Sequence, residues 1–227
     1  MRDYELRDYE FVESDRHART IDESFCIEPP RQSRLMYNAS SQFSVEALQH
    51  GNGKSCLMIG SPVFHVKVLE KMGWDVTYMD VREPPVKLNK FIQRDATDMK
   101  LCDESFDAID SSCVLSHAGM GRYGDPLVED GDEKMMCEMY RVLKPGCPAT
   151  LMFGNVAVMP KMVVLGTCHR VYTKEEAERI ALHAGFVVEK TRLWSLKHLR
   201  WVKHDRERSV DYFGKPDYLA MLVRKPT

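Results

Sequence analysis

Three carboxylates, two histidines and one glycine turn are the residues with which this chain can do chemistry. Asp80 ends the apolar run Val76-Thr77-Tyr78-Met79, about twenty residues after the turn at Gly60-Ser61. That is the separation at which open α/β sheets set a carboxylate against a ribose. A carboxylate there accepts hydrogen bonds from both sugar hydroxyls, and such charge-assisted bonds fix the sugar's orientation. Asp95-Ala96 closes a third run, where a carboxylate can accept from an adenine amino group while the next amide donates to the ring. The alternative for Asp95 is a helix or turn cap. Ser112 ends a fourth run, beside the same crevice. His117, Asp125 and His169 are the candidates for moving a proton, with Asp125 as a turn cap the competing reading.

The turn decides which adenosine compound fits. A pyrophosphate needs Gly-x-Gly-x-x-Gly and several free backbone amides at a helix N-terminus. Gly60 is followed here by Ser61, Pro62, Val63 and Phe64, so a donor is lost at proline and close approach is blocked at phenylalanine. A dinucleotide site is disfavoured. S-adenosylmethionine carries no phosphate, and Gly60 with Ser61 can supply the single tight turn it needs.

These residues must be positioned by alternating strands and helices. Strand-like runs at Cys56–Ile59, Asp75–Met79, Phe91–Gln93, Phe106–Ser111 and Ala149–Phe153 alternate with helix-like ones at Phe64–Met72 and Gly131–Leu143. This pattern predicts parallel strands joined by crossover helices. Met135, Met136, Met139, Tyr140 and Leu143 form the stripe that the second helix should bury. Thr173 and Glu176 make a capping box for a helix ending at Gly185. Phe186–Lys190 and Tyr218–Val223 then read as a closing antiparallel pair. The fold class is a three-layer α/β sheet, Rossmann-like and mostly parallel, with an antiparallel strand near the C-terminus. Residues 46–227 form one domain. Residues 1–45 form an irregular polar arm, which Phe25, Leu35, Met36, Tyr37 and Phe43 could dock on the pocket.

The order of these pieces resembles the class I S-adenosylmethionine-dependent methyltransferases. The likeness is strongest over Arg94–Phe106 and over Tyr140–Gly146 (Tyr-Arg-Val-Leu-Lys-Pro-Gly). Met58 departs from the family in place of an acid, as do Pro62 and Phe64 in place of glycines. A narrower resemblance, to a small branch of methyltransferase-like domains with a Gly-Ser turn, accounts for those departures. It rests on Gly119-Met120-Gly121-Arg122-Tyr123-Gly124-Asp125-Pro126 and His169-Arg170-Val171-Tyr172. The resemblance implies S-adenosyl-L-methionine as cofactor, with Gly60, Ser61, Asp80, Asp95, Ala96 and Ser112 around it. Arg122, Tyr123, Arg170 and Tyr172 are then expected to bind the acceptor, the two signature loops facing each other across its pocket. His117, Asp125 or His169 would serve as base for a hydroxyl acceptor.

Composition sets the remaining bounds. The 227 residues are 44% hydrophobic, with a formal charge of −2, which argues against bulk electrostatic binding to nucleic acid. The basic stretch Lys197–His204 is followed by Asp205 and Glu207, so a solvated helix face or a lid over the pocket is favoured over an RNA site. Seven cysteines without a metal-type pair point to reduced thiols and a cytoplasmic protein. No metal is expected, since His117, Asp125, Cys168 and His169 lack ligand spacing. No membrane segment is expected either. The leading expectation is methyl transfer to oxygen of a small-molecule or glycan-type acceptor. The alternatives are a catalytically inactive binding protein on the same fold and, behind it, an RNA methyltransferase.

Overall fold

The computed structural model describes residues 9–12, 31–49, 51–156, 162–165, 169–195, 200–202 and 217–227. In chain order the elements are β1 (Tyr9–Val12), α1 (Arg31–Leu48), β2 (Ser55–Ile59), α2 (Phe64–Lys71), β3 (Asp75–Asp80), β4 (Phe91–Gln93) and β5 (Ala108–Ser112). They continue with α3 (Gly131–Val142), β6 (Pro148–Val156), β7 (Met162–Leu165), β8 (His169–Val171), α4 (Lys174–Ala184), β9 (Val187–Ser195), β10 (Arg200–Val202) and β11 (Asp217–Arg224).

The main sheet runs β10-β9-β11-β6-β5-β2-β3-β4. β2 pairs in parallel with β3 and β5, β3 with β4, and β5 with β6. β11 is antiparallel to both β6 and β9, and β10 is antiparallel to β9. The central strands read as unbroken apolar runs because both faces are covered. Alternate side chains divide between the two layers. Leu57, Ile59, Met79, Ile109 and Phe153 face α3 and α4, where Met135, Met136, Met139, Ile180 and Ala181 complete the core. Met58, Val76 and Tyr78 pack with Val66 and Leu69 of α2, while Met152 and Ala220 pack with Tyr37 and Phe43 of α1. The fold is the expected three-layer Rossmann-like sheet.

One expectation is corrected. Residues 31–48 of the supposedly irregular arm form α1. Its buried face carries Tyr37, Ser40, Phe43, Ser44 and Leu48, spaced as a helix requires. Two of those five are serines, so the apolar period is broken in the sequence although the buried period is intact. Ser44 donates to Asp110 Oδ1 at 2.5 Å, and the Ser40 and Ser112 hydroxyls are 2.8 Å apart. A second sheet, β1-β7-β8, was also not foreseen.

Thr173 accepts from the Glu176 amide at 3.0 Å, as a capping residue should, whereas the Glu176 carboxylate is bonded by Arg179. Gly185 closes α4 at φ 105°. Phe25, Cys168, Lys197–Leu199 and Lys203–Arg208 lie outside the described residues, as do the side chains of Leu35 and Met36. Arg200–Val202, between the basic segments, is an edge strand rather than a helix face.

Candidate active site

The chain leaves β2 toward β3 and β4, then returns to β5 on the other side of β2. The carboxyl ends of β2 and β5 therefore diverge at a topological switch point, the place where such sheets bind ligands. A crevice of about 270 Å³ opens there. Gly60, Asp80, Asp95, Ala96 and Ser112 all line it, as do His117, Arg122, Tyr123 and Asp125. Four separate strand ends thus bring nine of the expected residues to one space.

Gly60 sits at φ 54°, a left-handed conformation that favours glycine. A Cβ there would meet Val114 Cγ2 at 2.7 Å and stand 3.7 Å from Asp80 Oδ2, inside the space a sugar would need. Ser61 turns away from the crevice. Its hydroxyl lies 3.1 Å from Asp110 Oδ2 and accepts from the Ser112 amide at 2.9 Å, so it braces the turn from beneath. Cys113 follows Ser112 at φ 62°, a strained position for a residue with a side chain, and lines the crevice. Burial pushes its thiol up to about 12.

Asp80 is buried at the end of β3. Its Oδ1 accepts from the Arg82 amide at 2.9 Å and from Arg82 Nε at 3.1 Å. Its Oδ2 accepts from an Arg82 terminal nitrogen at 3.2 Å and from the Tyr78 hydroxyl at 3.4 Å. Burial pushes the carboxyl up to about 6 despite the amides and the hydroxyl that pull it down. The same burial brings the Arg82 guanidinium down to about 10. Arg82 Cζ also lies 4.2 Å from the centre of the Tyr123 ring, and Arg122 approaches the same ring at 5.4 Å. Asp95 lines the crevice while accepting from the Thr97 amide at 2.9 Å and its hydroxyl at 2.7 Å, so it is a cap as well.

The loop after β5 is closed by Asp125, which accepts from the Gly121 amide at 3.1 Å and the Tyr123 amide at 3.0 Å. His117 stands edge-on to Tyr123 at 5.5 Å and to His169 at 5.9 Å between ring centres. His169 is buried behind His117 and does not line the crevice.

Arg170 and Tyr172, expected on the acceptor, are instead buried braces. The guanidinium donates to the Ala118 carbonyl at 2.8 Å and to that of Glu129 at 3.2 Å, with Asp132 at 3.6 Å. The Tyr172 hydroxyl lies 2.9 Å from Asp132 Oδ2 and 3.1 Å from the Leu115 carbonyl. The segment His169–Tyr172 thus bonds residues on either side of Gly119–Pro126, the Arg170 amide donating to the Ser116 carbonyl at 2.8 Å, and its Arg170 and Tyr172 do not line the crevice.

Sequence reasoning passed over Arg82 and Arg94 as site residues, and both line the crevice with Tyr37, which was named only for docking the arm. Arg82 left one signal, a cation two residues after the strand-end carboxylate of Asp80. Among the described residues no cluster of histidine, cysteine and acidic side chains has the arrangement of a metal site.

Residues 57–149 match the family model of a methyltransferase domain. That segment holds Gly60, Asp80, Asp95, Ala96 and Ser112, so the matched domain supplies every lining residue of the crevice except Tyr37. A Burkholderia thailandensis 1,6-didemethyltoxoflavin-N1-methyltransferase, solved with 1,6-didemethyltoxoflavin and S-adenosylhomocysteine, superposes with TM-score 0.58. The chain has the methyltransferase fold. That likeness spans 85% of this chain and 79% of the other at 16% identity. A Haemonchus contortus phosphoethanolamine N-methyltransferase 2, solved with phosphomonomethylethanolamine and S-adenosylhomocysteine, gives TM-score 0.56 at 14% identity, over 87% of this chain and 58% of that one. The cyclase SpnF gives TM-score 0.62 at 16% identity, over 84% and 81%. No curated protein matches the sequence. The methyltransferase-domain match, with the two methyltransferases solved with S-adenosylhomocysteine, supports a methyltransferase with S-adenosyl-L-methionine as cofactor. The residues present fit that molecule, because the switch-point crevice offers a carboxylate beside a glycine whose missing side chain leaves room for a sugar.

Proposed function

We propose that the chain transfers a methyl group from S-adenosyl-L-methionine to a hydroxyl oxygen of a small-molecule or glycan-type acceptor. When bound, the cofactor supplies a sulfonium methyl for in-line displacement. The protein's work is positioning, exclusion of water and removal of one proton. Asp80 and Gly60 hold the ribose end, while Asp95 and the Ala96 amide hold the adenine end. Tyr37 and Tyr123 wall the other end. His117 takes the hydroxyl proton on a ring nitrogen, Tyr123 and His169 fix its ring, and Asp125 keeps the loop closed. Arg122 and Tyr123 touch the acceptor. We also place the chain in the branch marked by its two signature segments; the bonds from Arg170 to Ala118 and Glu129, on either side of Gly119–Pro126, support a shared structural reason for both. The five described cysteines are free thiols, which supports a cytoplasmic setting.

The observation that carries this reading is the single crevice shared by Asp80 and His117, from the ends of different strands. Calorimetry with S-adenosylmethionine and S-adenosylhomocysteine tests the first half. A screen of hydroxyl, amine and thiol acceptors tests the second. His117→Asn should bind cofactor as the wild type does and lose about 100-fold or more in turnover; unchanged turnover removes the base role.

A second reading is a binding protein on this fold that transfers no methyl group. Arg82 lying on Asp80 favours it, together with Pro62 and Phe64 in the turn. Absence of binding to both cofactor forms would leave that reading alone.

A further inference from the structure

The Asp80 carboxylate has about four lone-pair positions, two on each oxygen. In this structure protein donors crowd them: the Arg82 amide and Nε on Oδ1, an Arg82 terminal nitrogen and the Tyr78 hydroxyl on Oδ2, with the Val81 amide as a further backbone donor to the carboxylate. Two ribose hydroxyls need two of those positions. The Arg82 amide belongs to the turn and cannot leave without refolding it. Tyr78 is buried within β3 and gives up only one position. The guanidinium holds one position on each oxygen, and it sits at the end of a flexible side chain.

We propose that Arg82 is a displaceable stopper on the ribose position: the cofactor sugar evicts its guanidinium from Asp80, and the released group completes the binding site for an acidic group on the acceptor. The inference rests on reading the crevice as an S-adenosylmethionine site. The displaced guanidinium has a place to go. It already lies 4.2 Å from the Tyr123 ring centre, and Arg122 reaches the same ring. Tyr123 belongs to the loop carrying Asp125 and follows His117, so this is the acceptor end of the crevice. Once Arg82 leaves Asp80, a pair of its donors has lost its acceptors next to a second guanidinium. A carboxylate or phosphate can take up both groups with paired hydrogen bonds. Cofactor then binds first, and its arrival makes the acceptor site.

Calorimetry on the full chain tests this, with S-adenosylhomocysteine as one probe and inorganic phosphate or acetate as the other. Arg82→Gln removes the competitor, so S-adenosylhomocysteine should bind on the order of ten-fold more tightly than to the wild type, with Arg82→Lys in between. In the wild type, saturating S-adenosylhomocysteine should tighten phosphate or acetate binding by about ten-fold, and Arg82→Gln should abolish that gain. The probe that responds tells a phosphorylated acceptor from a carboxylated one. Equal or weaker S-adenosylhomocysteine binding in both variants, with thermal unfolding unchanged, makes Arg82 a brace and overturns the stopper. Anion binding indifferent to S-adenosylhomocysteine overturns the acceptor role. If neither wild type nor Arg82→Gln binds S-adenosylhomocysteine, the reading of the crevice falls as well.

Discussion

The Asp80 carboxyl gives the crevice a pH signature. Its folded value of about 6 lies above that of an exposed aspartate, so it takes up a proton as pH falls through that value. Only the charged form accepts from a ribose without losing a lone pair to its own proton. The dissociation constant for S-adenosylhomocysteine should therefore be flat above pH 7 and rise about ten-fold per unit below pH 6, as titration calorimetry would record. A flat profile to pH 5 would separate Asp80 from the sugar. At Gly60 the expected effect is steric. Gly60→Ala would put a Cβ at 2.7 Å from Val114 and force a left-handed residue. It should cost about 1–2 kcal/mol of stability in denaturant unfolding and weaken cofactor binding. Spacing in the sequence pointed to Asp80 and Gly60, and both line the crevice. It did not show Arg82, because an arginine after a strand end reads as a solvated turn until the lone pairs of its neighbour are counted. It also misdirected Arg170 and Tyr172. Residue type suggests an anion partner for that arginine, and only the path of the chain shows that two backbone carbonyls and Asp132 meet it instead.

Among the helices, α1 is the one hidden in the sequence. Strands β2 to β6 announce themselves by apolar runs, but α1 docks through hydroxyls that meet the fully buried Asp110. Burial alone would raise that carboxyl; His65 beside it and hydrogen bonds from Ser44 and Thr150 outweigh burial and hold it below the usual range. A lowered folded value means stability that is present above the unfolded value near 4 and lost as pH falls through the folded one. Asp110→Asn should therefore destabilise the protein by about 3 kcal/mol at pH 7 and flatten its acid unfolding below pH 4, measured by urea titrations across that range. A variant equal to wild type at pH 7 would show that the buried network contributes nothing net. The small sheet β1-β7-β8 was not legible for a different reason: its strands are only three or four residues long and join distant parts of the chain.

At the scale of the molecule, the crevice lies between elements that meet only in the folded chain, so a ligand bound there stabilises the whole. S-adenosylhomocysteine at about 100 times its dissociation constant adds about 2.7 kcal/mol. For a domain of this size that should raise the melting temperature by about 5–10 °C in a thermal scan. No shift at saturation would mean that the crevice does not take the nucleoside.

One wall of that crevice comes from outside the sheet. Tyr37 reaches it from α1, and the same helix covers Met152 and Ala220. A protein trimmed to start beyond Leu48 would keep every strand-end residue named above, yet it would present a bare greasy flank to solvent and a half-open trough to its ligand. Self-association and leakage of water onto the reacting atoms would then arrive together, from the loss of a single helix.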